Sequence, residues 1–206
     1  MCGRVRLEVP FKELARLLRC ESVFGIDVLG ENIAPTDLLP VVHLDHEGRR
    51  VLSPMRWGLI PSWAKGPLKH TFNARIETIA TKPAFRGARR CLVVADAFYE
   101  WSERNGKRLP NVIRPRDHKP FAMAGLWDVW TTPDGEVIDS CTIVTRAAEG
   151  SVAELHDRMP LVLPEASQEQ WLRNGTETDG WVVDFDIEPI AAIPGKAPPR
   201  QLGLFG

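Results

Sequence analysis

Alternating apolar and polar positions, in short runs bounded by Gly, Pro, Asn and Asp, dominate this 206-residue chain. Such runs predict strands, because successive side chains on a pleated backbone point to opposite faces. Residues 5–9 make the first extended piece. Pro10 then opens a helix, where its fixed φ suits the first turn, and Phe11, Leu14, Ala15, Leu17 and Leu18 share one face of it. Asn32 to Pro35 reads as a loop, and 41–52 as a hairpin turning at Glu47-Gly48. Gly58 and Pro61 punctuate 55–63 too heavily for a central strand, so an aromatic-bearing loop is expected there. Residues 72–78 are expected to enter a short helix that Pro83 limits. The apolar run 91–95 predicts a buried strand, continued after Asp96 by Phe98 to Trp101. Asn105-Gly106 is a hairpin turn returning through Val112-Ile113. Residues 121–127 and 137–145 are strands joined through Pro133-Asp134-Gly135, 156–160 is a loop before 161–163, 164–172 is a helix, and 181–185 is a last strand. Many hairpin-joined strands with few helices predict an α+β fold. It is expected to be a single domain over 1–192 on a curved, mostly antiparallel β-sheet or barrel-like core with a few flanking helices. A flexible Pro/Gly tail is expected over 193–206.

Composition narrows the class. An apolar content of 44% with a net charge of −1 describes a folded globular protein rather than a disordered one. No apolar run resembles a signal peptide or a membrane span, so a cytoplasmic protein is expected. The four cysteines (2, 20, 91 and 141) have no CxxC pairing, which suggests neither a zinc cage nor a disulfide framework. His43 and His46 read as a solvated turn rather than a metal pair. No metal, no cofactor and a monomeric state are expected.

Charge is unevenly distributed. Residues 49–120 hold 16 Lys and Arg against 5 Asp and Glu, a balance of +11, whereas 121–206 hold 5 against 14, a balance of −9. A basic run can be a plain solvated face. This one also carries Trp57, Trp63, Phe72, Phe85 and Trp101, the mixture that a groove for single-stranded nucleic acid requires.

The candidate chemistry starts at Met1-Cys2-Gly3-Arg4. Methionine before a small residue is trimmed in the cell, which would leave Cys2 with a free α-amine and a thiol on adjacent carbons. Their ordinary pKa values, about 7.7–8.0 and about 8.5, keep usable nucleophilic fractions of both near neutrality. The amine can condense with an aldehyde and the thiol can then close a five-membered ring. Glu100 interrupts the aromatic run Phe98-Tyr99-Glu100-Trp101, where a carboxyl is expected to hold its proton towards neutrality. His156, beside Asp157 and Arg158, can exchange a proton at cellular pH, and the Asn73 amide can orient an amine or hydroxyl. Each has a plainer reading by itself: a frayed terminus, an outward-pointing strand residue, a surface histidine and a helix N-cap.

Taken together, Met1 to Arg4, Asn32 to Pro35, Arg56 to Trp63, Asn73 to Thr78, Phe98 to Trp101 and His156 to Pro160 stand in the order of, and resemble, the SRAP family of abasic-site-processing proteins, named for an association with the bacterial SOS response. The resemblance spans 1 to about 190. It implies that Cys2, once Met1 is removed, forms a covalent thiazolidine with an abasic deoxyribose in single-stranded DNA, with accompanying Schiff-base and lyase chemistry. It further implies that Asn73 positions the amine or sugar, Glu100 moves protons, and His156 assists sugar opening and crosslink reversal. Arg4 and Arg75 match phosphate-holding positions and Trp63 and Pro35 base-packing ones, whereas Trp57 reads as a core support for the Trp63 loop. Thr145 resembles a position near the sugar, although a buried strand threonine is the plainer reading. Some relatives have a basic residue where Pro83 stands, a role that Lys82 or Arg86 would take over. The family's older label, peptidase, keeps an N-terminal-nucleophile amidase as one alternative; a non-catalytic single-stranded DNA binder is another. A cytoplasmic, bacterial nucleoid-associated location is expected. Finally, Gln201, Leu202, Leu204 and Phe205 resemble the short bacterial peptide that docks on the replication sliding clamp, with folding back onto the domain as the alternative.

Overall fold

The computed structural model describes residues 2–22, 28–173 and 184–195. Among these the alternating runs form fourteen strands, with two α-helices. In chain order they are β1 (Val5–Leu7), α1 (Phe11–Leu17), β2 (Glu21–Ser22), β3 (Gly30–Ile33), β4 (Leu38–Leu44), β5 (Arg50–Trp57), β6 (Asn73–Arg75), β7 (Arg89–Ala95), β8 (Ala97–Arg104), β9 (Lys107–Pro115), β10 (Phe121–Thr131), β11 (Val137–Ala147), β12 (Arg158–Pro160), β13 (Val162–Leu163), α2 (Glu165–Arg173) and β14 (Phe185–Pro189).

Strands β11, β10, β7, β4 and β5 pair in that order, and β5 returns to β11, closing a five-stranded barrel. Every pairing in the ring is antiparallel except the closing one, where Arg56 lies opposite Ser140 and Trp57 opposite Cys141. Closure leaves these strands without a free edge. A second, wholly antiparallel sheet runs β14-β9-β8-β1-β3. Phe98 on β8, Phe121 on β10 and Phe185 on β14 meet edge to face at 5.6–6.4 Å and bind the sheet to the barrel as one domain. The fold is mostly β.

The barrel interior is packed to contact. A Cβ added at Gly125 on β10 would stand 2.8 Å from Cys91 Sγ and 3.0 Å from both the Thr142 carbonyl and Val93. The Thr142 carbonyl belongs to a paired strand and has no room to move. Gly125→Ala is therefore expected to cost about 1–3 kcal/mol, read as a lower denaturant midpoint at unchanged slope. An unchanged midpoint would show that the wall yields.

Several local expectations are corrected. Residues 55–57 complete β5 and close the barrel, because Gly58 and Pro61 fall just after the strand rather than within it. Asn32 and Ile33 belong to β3, where Ile33 pairs with Val5. Asn73–Arg75 are strand, not helix: β11 offers a parallel edge, and only 76–78 turn helically. Pro83 begins a 3-10 turn of its own. Phe98–Trp101 do not continue the preceding strand, since at Asp96 the chain leaves the barrel for the second sheet, with Asp96 Oδ2 accepting from the Glu8 N–H. Arg158–Pro160 pair with β11 rather than looping. Leu17, placed on the buried face of α1, is exposed, while Phe11 and Leu14 are buried. His43 is half-buried, its ring 4.4 Å from that of Trp127, so only His46 is a solvated turn residue. The last strand is 185–189; residues 181–183 and the tail from 196 lie outside the described residues.

Candidate active site

The β1–β8 register sets the site. Val5 faces Phe98 and Arg6 faces Ala97, and the Tyr99 N–H donates to the Arg4 carbonyl at 3.0 Å. Continued by one residue, this register puts Glu100 opposite Gly3, next to Cys2. Cys2 is fully buried. Burial pushes its thiol well above the usual range, the nearby Glu100 charge adds to the rise, and the Arg4 N–H works against it. The thiol therefore keeps its proton at neutral pH.

Asn73 contacts Cys2 as well. Its Nδ2 donates to the Cys2 carbonyl at 2.7 Å, while its Oδ1 is buried and accepts no hydrogen bond. A buried amide oxygen without a donor is costly, and here it stands beside the Cys2 backbone as an acceptor awaiting an N–H or O–H. Asn73 is thus not a helix cap. Glu100 is 1% exposed, so the outward-pointing reading fails; its carbonyl accepts from Asn111 Nδ2 at 3.2 Å.

His156 lies between the 3-10 turn 150–154 and β12. Its Nδ1 stands 2.9 Å from the Arg158 N–H and 2.7 Å from Asp157 Oδ1. Protonated, Nδ1 serves the carboxylate; unprotonated, it accepts from the amide. β11 links this segment to Asn73, for at Thr145 it carries Arg75 on one edge and Pro160 on the other. A cleft of about 530 Å³ is lined by Trp101, Arg108, Glu154 and Leu155, and includes neither Glu100 nor His156. Another cleft, of about 1120 Å³, lies between α1 and α2 and includes none of the candidate residues.

The structure also supplies partners that spacing did not indicate. Buried Arg158 clasps the Glu77 carboxylate at 2.7 and 2.9 Å and donates to the Thr145 carbonyl at 2.7 Å, joining β12, β11 and the turn after β6. The guanidinium holds the Glu77 carboxyl below the usual carboxylate range. Thr145 is fully buried, the plainer of its two readings. Arg4 donates to Asn32 Oδ1 at 2.6 Å.

Trp63 is 58% exposed on a loop braced by the Ser62 N–H on Asp128 at 2.7 Å and by Trp130 Nε1 on the Ala64 carbonyl at 2.7 Å. Trp57 is buried and donates to the Phe72 carbonyl at 2.8 Å, tying the end of β5 to the segment that leads into β6. Pro35 is half-buried. Its neighbour Thr36 has φ 82°, a strained value for a β-branched residue, and is pinned by its N–H on the Trp57 carbonyl. Arg75, Lys82 and Arg86 are exposed. Among the described residues no His, Cys, Asp and Glu group has a metal-holding arrangement, and no helix is long and apolar enough to cross a membrane.

The candidate site thus sets the buried Cys2 thiol against the Asn73 amide and near the Glu100 carboxyl, on a mixed five-stranded barrel. The chain belongs to the SRAP family, whose model, described as SOS response associated peptidase, matches residues 1–190. It is 35% identical over 200 residues to abasic site processing protein YoqW of Bacillus subtilis, covering 93% of this chain and 88% of that protein. It is 31% identical to abasic site processing protein HMCES of Mus musculus, covering 85% and 65%. A crystal structure from Bordetella bronchiseptica superposes with a TM-score of 0.79 at 25% identity, over 92% of this chain and 99% of that one.

Proposed function

We propose that this protein processes abasic sites in single-stranded DNA by covalent capture through Cys2. The observation that carries this reading is the enclosure of Cys2 between the Asn73 amide, with its unused Oδ1, and Glu100. Met1 must first be removed, because while it is present the Cys2 nitrogen is an amide. The freed amine donates its next hydrogen bond to Asn73 Oδ1, which aims its lone pair. An abasic sugar in its open form presents a C1′ aldehyde. The amine nitrogen adds to C1′, its two protons pass in turn to the carbonyl oxygen, which leaves as water, and a C1′=N bond results. The Cys2 sulfur then adds to C1′ while its proton passes to the nitrogen, closing a thiazolidine of N, Cα, Cβ, S and C1′. Because burial keeps the thiol protonated, ring closure needs a proton carrier, and Glu100 fills that role by relaying the thiol proton to the nitrogen, as it earlier relays the amine protons to the departing water. His156 serves sugar opening and the reverse reaction. From the iminium stage, loss of a C2′ proton expels the 3′ phosphate, which gives lyase activity.

Arg4, Arg75 and Arg86 hold the strand by its phosphates, and Trp63 with Pro35 packs against the flanking bases. A stacked base contributes about 1–3 kcal/mol, so Trp63→Ala is expected to weaken binding of an intact single strand about ten-fold or more, read by fluorescence anisotropy. Undiminished affinity would remove Trp63 from the interface.

The test of the reading itself is a denaturing gel with abasic and intact single strands, followed by peptide mass mapping. An abasic-specific adduct on the N-terminal peptide is expected. No adduct with Met1-free protein, or a bond on another residue, refutes it; peptide hydrolysis alone would favour the amidase, and reversible binding to both strands the plain binder. The tail from residue 196 lies outside the described residues, and its role at the sliding clamp is a separate proposal. Removing 201–206 should abolish co-elution with the clamp and leave crosslinking intact, and unchanged co-elution would refute it.

A further inference from the structure

Asn32 connects two parts of the molecule far apart in sequence. Its Oδ1 accepts from the Arg4 guanidinium at 2.6 Å, and its Nδ2 donates to the Pro194 carbonyl at 2.7 Å. The backbone under it is fixed on both sides: Ile33 pairs with Val5 on β1, and the Glu31 carbonyl accepts the Tyr99 hydroxyl at 2.6 Å. The C-terminal segment that brings Pro194 there is packed in place too, with Ile190 and Ile193 against Ala97, Tyr99, Trp101 and Val112.

An amide has one accepting and one donating end. Rotated by half a turn, Asn32 would set its NH₂ against the Arg4 cation and its oxygen against the Pro194 carbonyl, losing both bonds. The Pro194 carbonyl therefore decides which way Asn32 faces, and Asn32 decides where Arg4 points. The single bond to Asn32 Oδ1 leaves most of the guanidinium donors free for a phosphate, and a neutral acceptor does not cancel the charge.

We infer that Asn32 is a positioning residue for the phosphate grip, aiming Arg4 at the DNA backbone while the Pro194 carbonyl locks its amide in the orientation that does so. This rests on the proposed role of Arg4 in holding DNA. It makes the C-terminal segment at Pro194 part of the DNA-binding apparatus.

The test measures affinity of the full chain for an intact single strand, where no covalent step intervenes, across a salt series. Thermal melts confirm that each variant is folded. Arg4→Ala is expected to lower affinity and reduce the salt slope by about 0.7, the value of one lost phosphate contact on a single strand. Asn32→Ala should weaken binding several-fold with the slope retained, since the charge is still present but unaimed. Asn32→Asp has the same shape yet faces Arg4 with a carboxylate and Pro194 with a second acceptor, so it should lose as much as Arg4→Ala and reduce the slope as well. Asn32→Ala added to Arg4→Ala should cost nothing further, and a chain ending at Ile193 should behave as Asn32→Ala does. Wild-type affinity in Asn32→Ala, full additivity with Arg4→Ala, or unchanged affinity in the chain ending at Ile193 overturns the inference while leaving the DNA-binding reading intact. Absence of single-strand binding by the unmutated protein, or an undiminished Arg4→Ala, overturns both.

Discussion

Cys2→Ala is expected to abolish the denaturation-resistant DNA adduct while sparing the Schiff base. Alanine is also trimmed of Met1, so the α-amine is still produced and can still meet the C1′ aldehyde. Without sulfur no ring closes, and the imine either hydrolyses or loses its C2′ proton. Borohydride should therefore trap an adduct with Cys2→Ala, and strand cleavage should persist, whereas the untreated gel should be blank. A lysine inserted between Met1 and Cys2 blocks trimming and should remove both species. Glu100→Gln retains shape but cannot carry a proton, and should slow adduct formation by about 10²–10⁴-fold with the amine and thiol untouched. The decisive measurement is the pair of gels with and without borohydride; a heat-stable adduct persisting in Cys2→Ala would rule out sulfur as the second nucleophile.

Glu77→Ala is expected to destabilise the fold by roughly 2–3 kcal/mol, less than a fully buried pair costs because the Glu77 side chain is half exposed and screened by water. The loss arises chiefly at Arg158, which is 8% exposed and would remain buried and charged with only the Thr145 carbonyl as a strong partner. Making Arg158→Met in the same chain removes that stranded charge, so the double variant should be more stable than Glu77→Ala alone. The pH dependence has a definite sign. The folded-state pKa of Glu77 is depressed, principally by its bonds to Arg158. Its stabilisation is thus complete above the unfolded carboxyl value of about 4.3 and disappears as pH falls through the lower folded value. Wild type and Glu77→Gln should differ in urea midpoint at pH 7 and converge in acid. A constant difference would mean that the pair's charge contributes nothing.

The sequence was most informative where one residue type has one conformational use. Asn105-Gly106 and Gly48 take positive φ in the turns expected of them, and the 91–95 run is a buried strand. It was least informative where a strand's partner decides its state. Asn73–Arg75 have a pattern that suits helix or strand, and the parallel edge of β11 selected the latter. Phe98–Trp101 extend a run that looks continuous, yet their partners are β1 and β9 rather than the barrel. Glu100 illustrates the same limit at the site, since alternation alone leaves its facing undecided.

Local chemistry belongs to the sequence itself: the Met1-Cys2 pair, the strand and turn punctuation, the basic stretch and the ordered segments that mark the family. These follow from covalent identity and short-range conformational preference. Barrel closure through β5 and β11, the enclosure of Cys2 by Asn73 and Glu100, the Arg158–Glu77 clasp and the Arg4–Asn32–Pro194 chain were decided only by the tertiary fold. Each joins residues from separate segments, brought together by strand register and shared burial, which no spacing along the chain encodes.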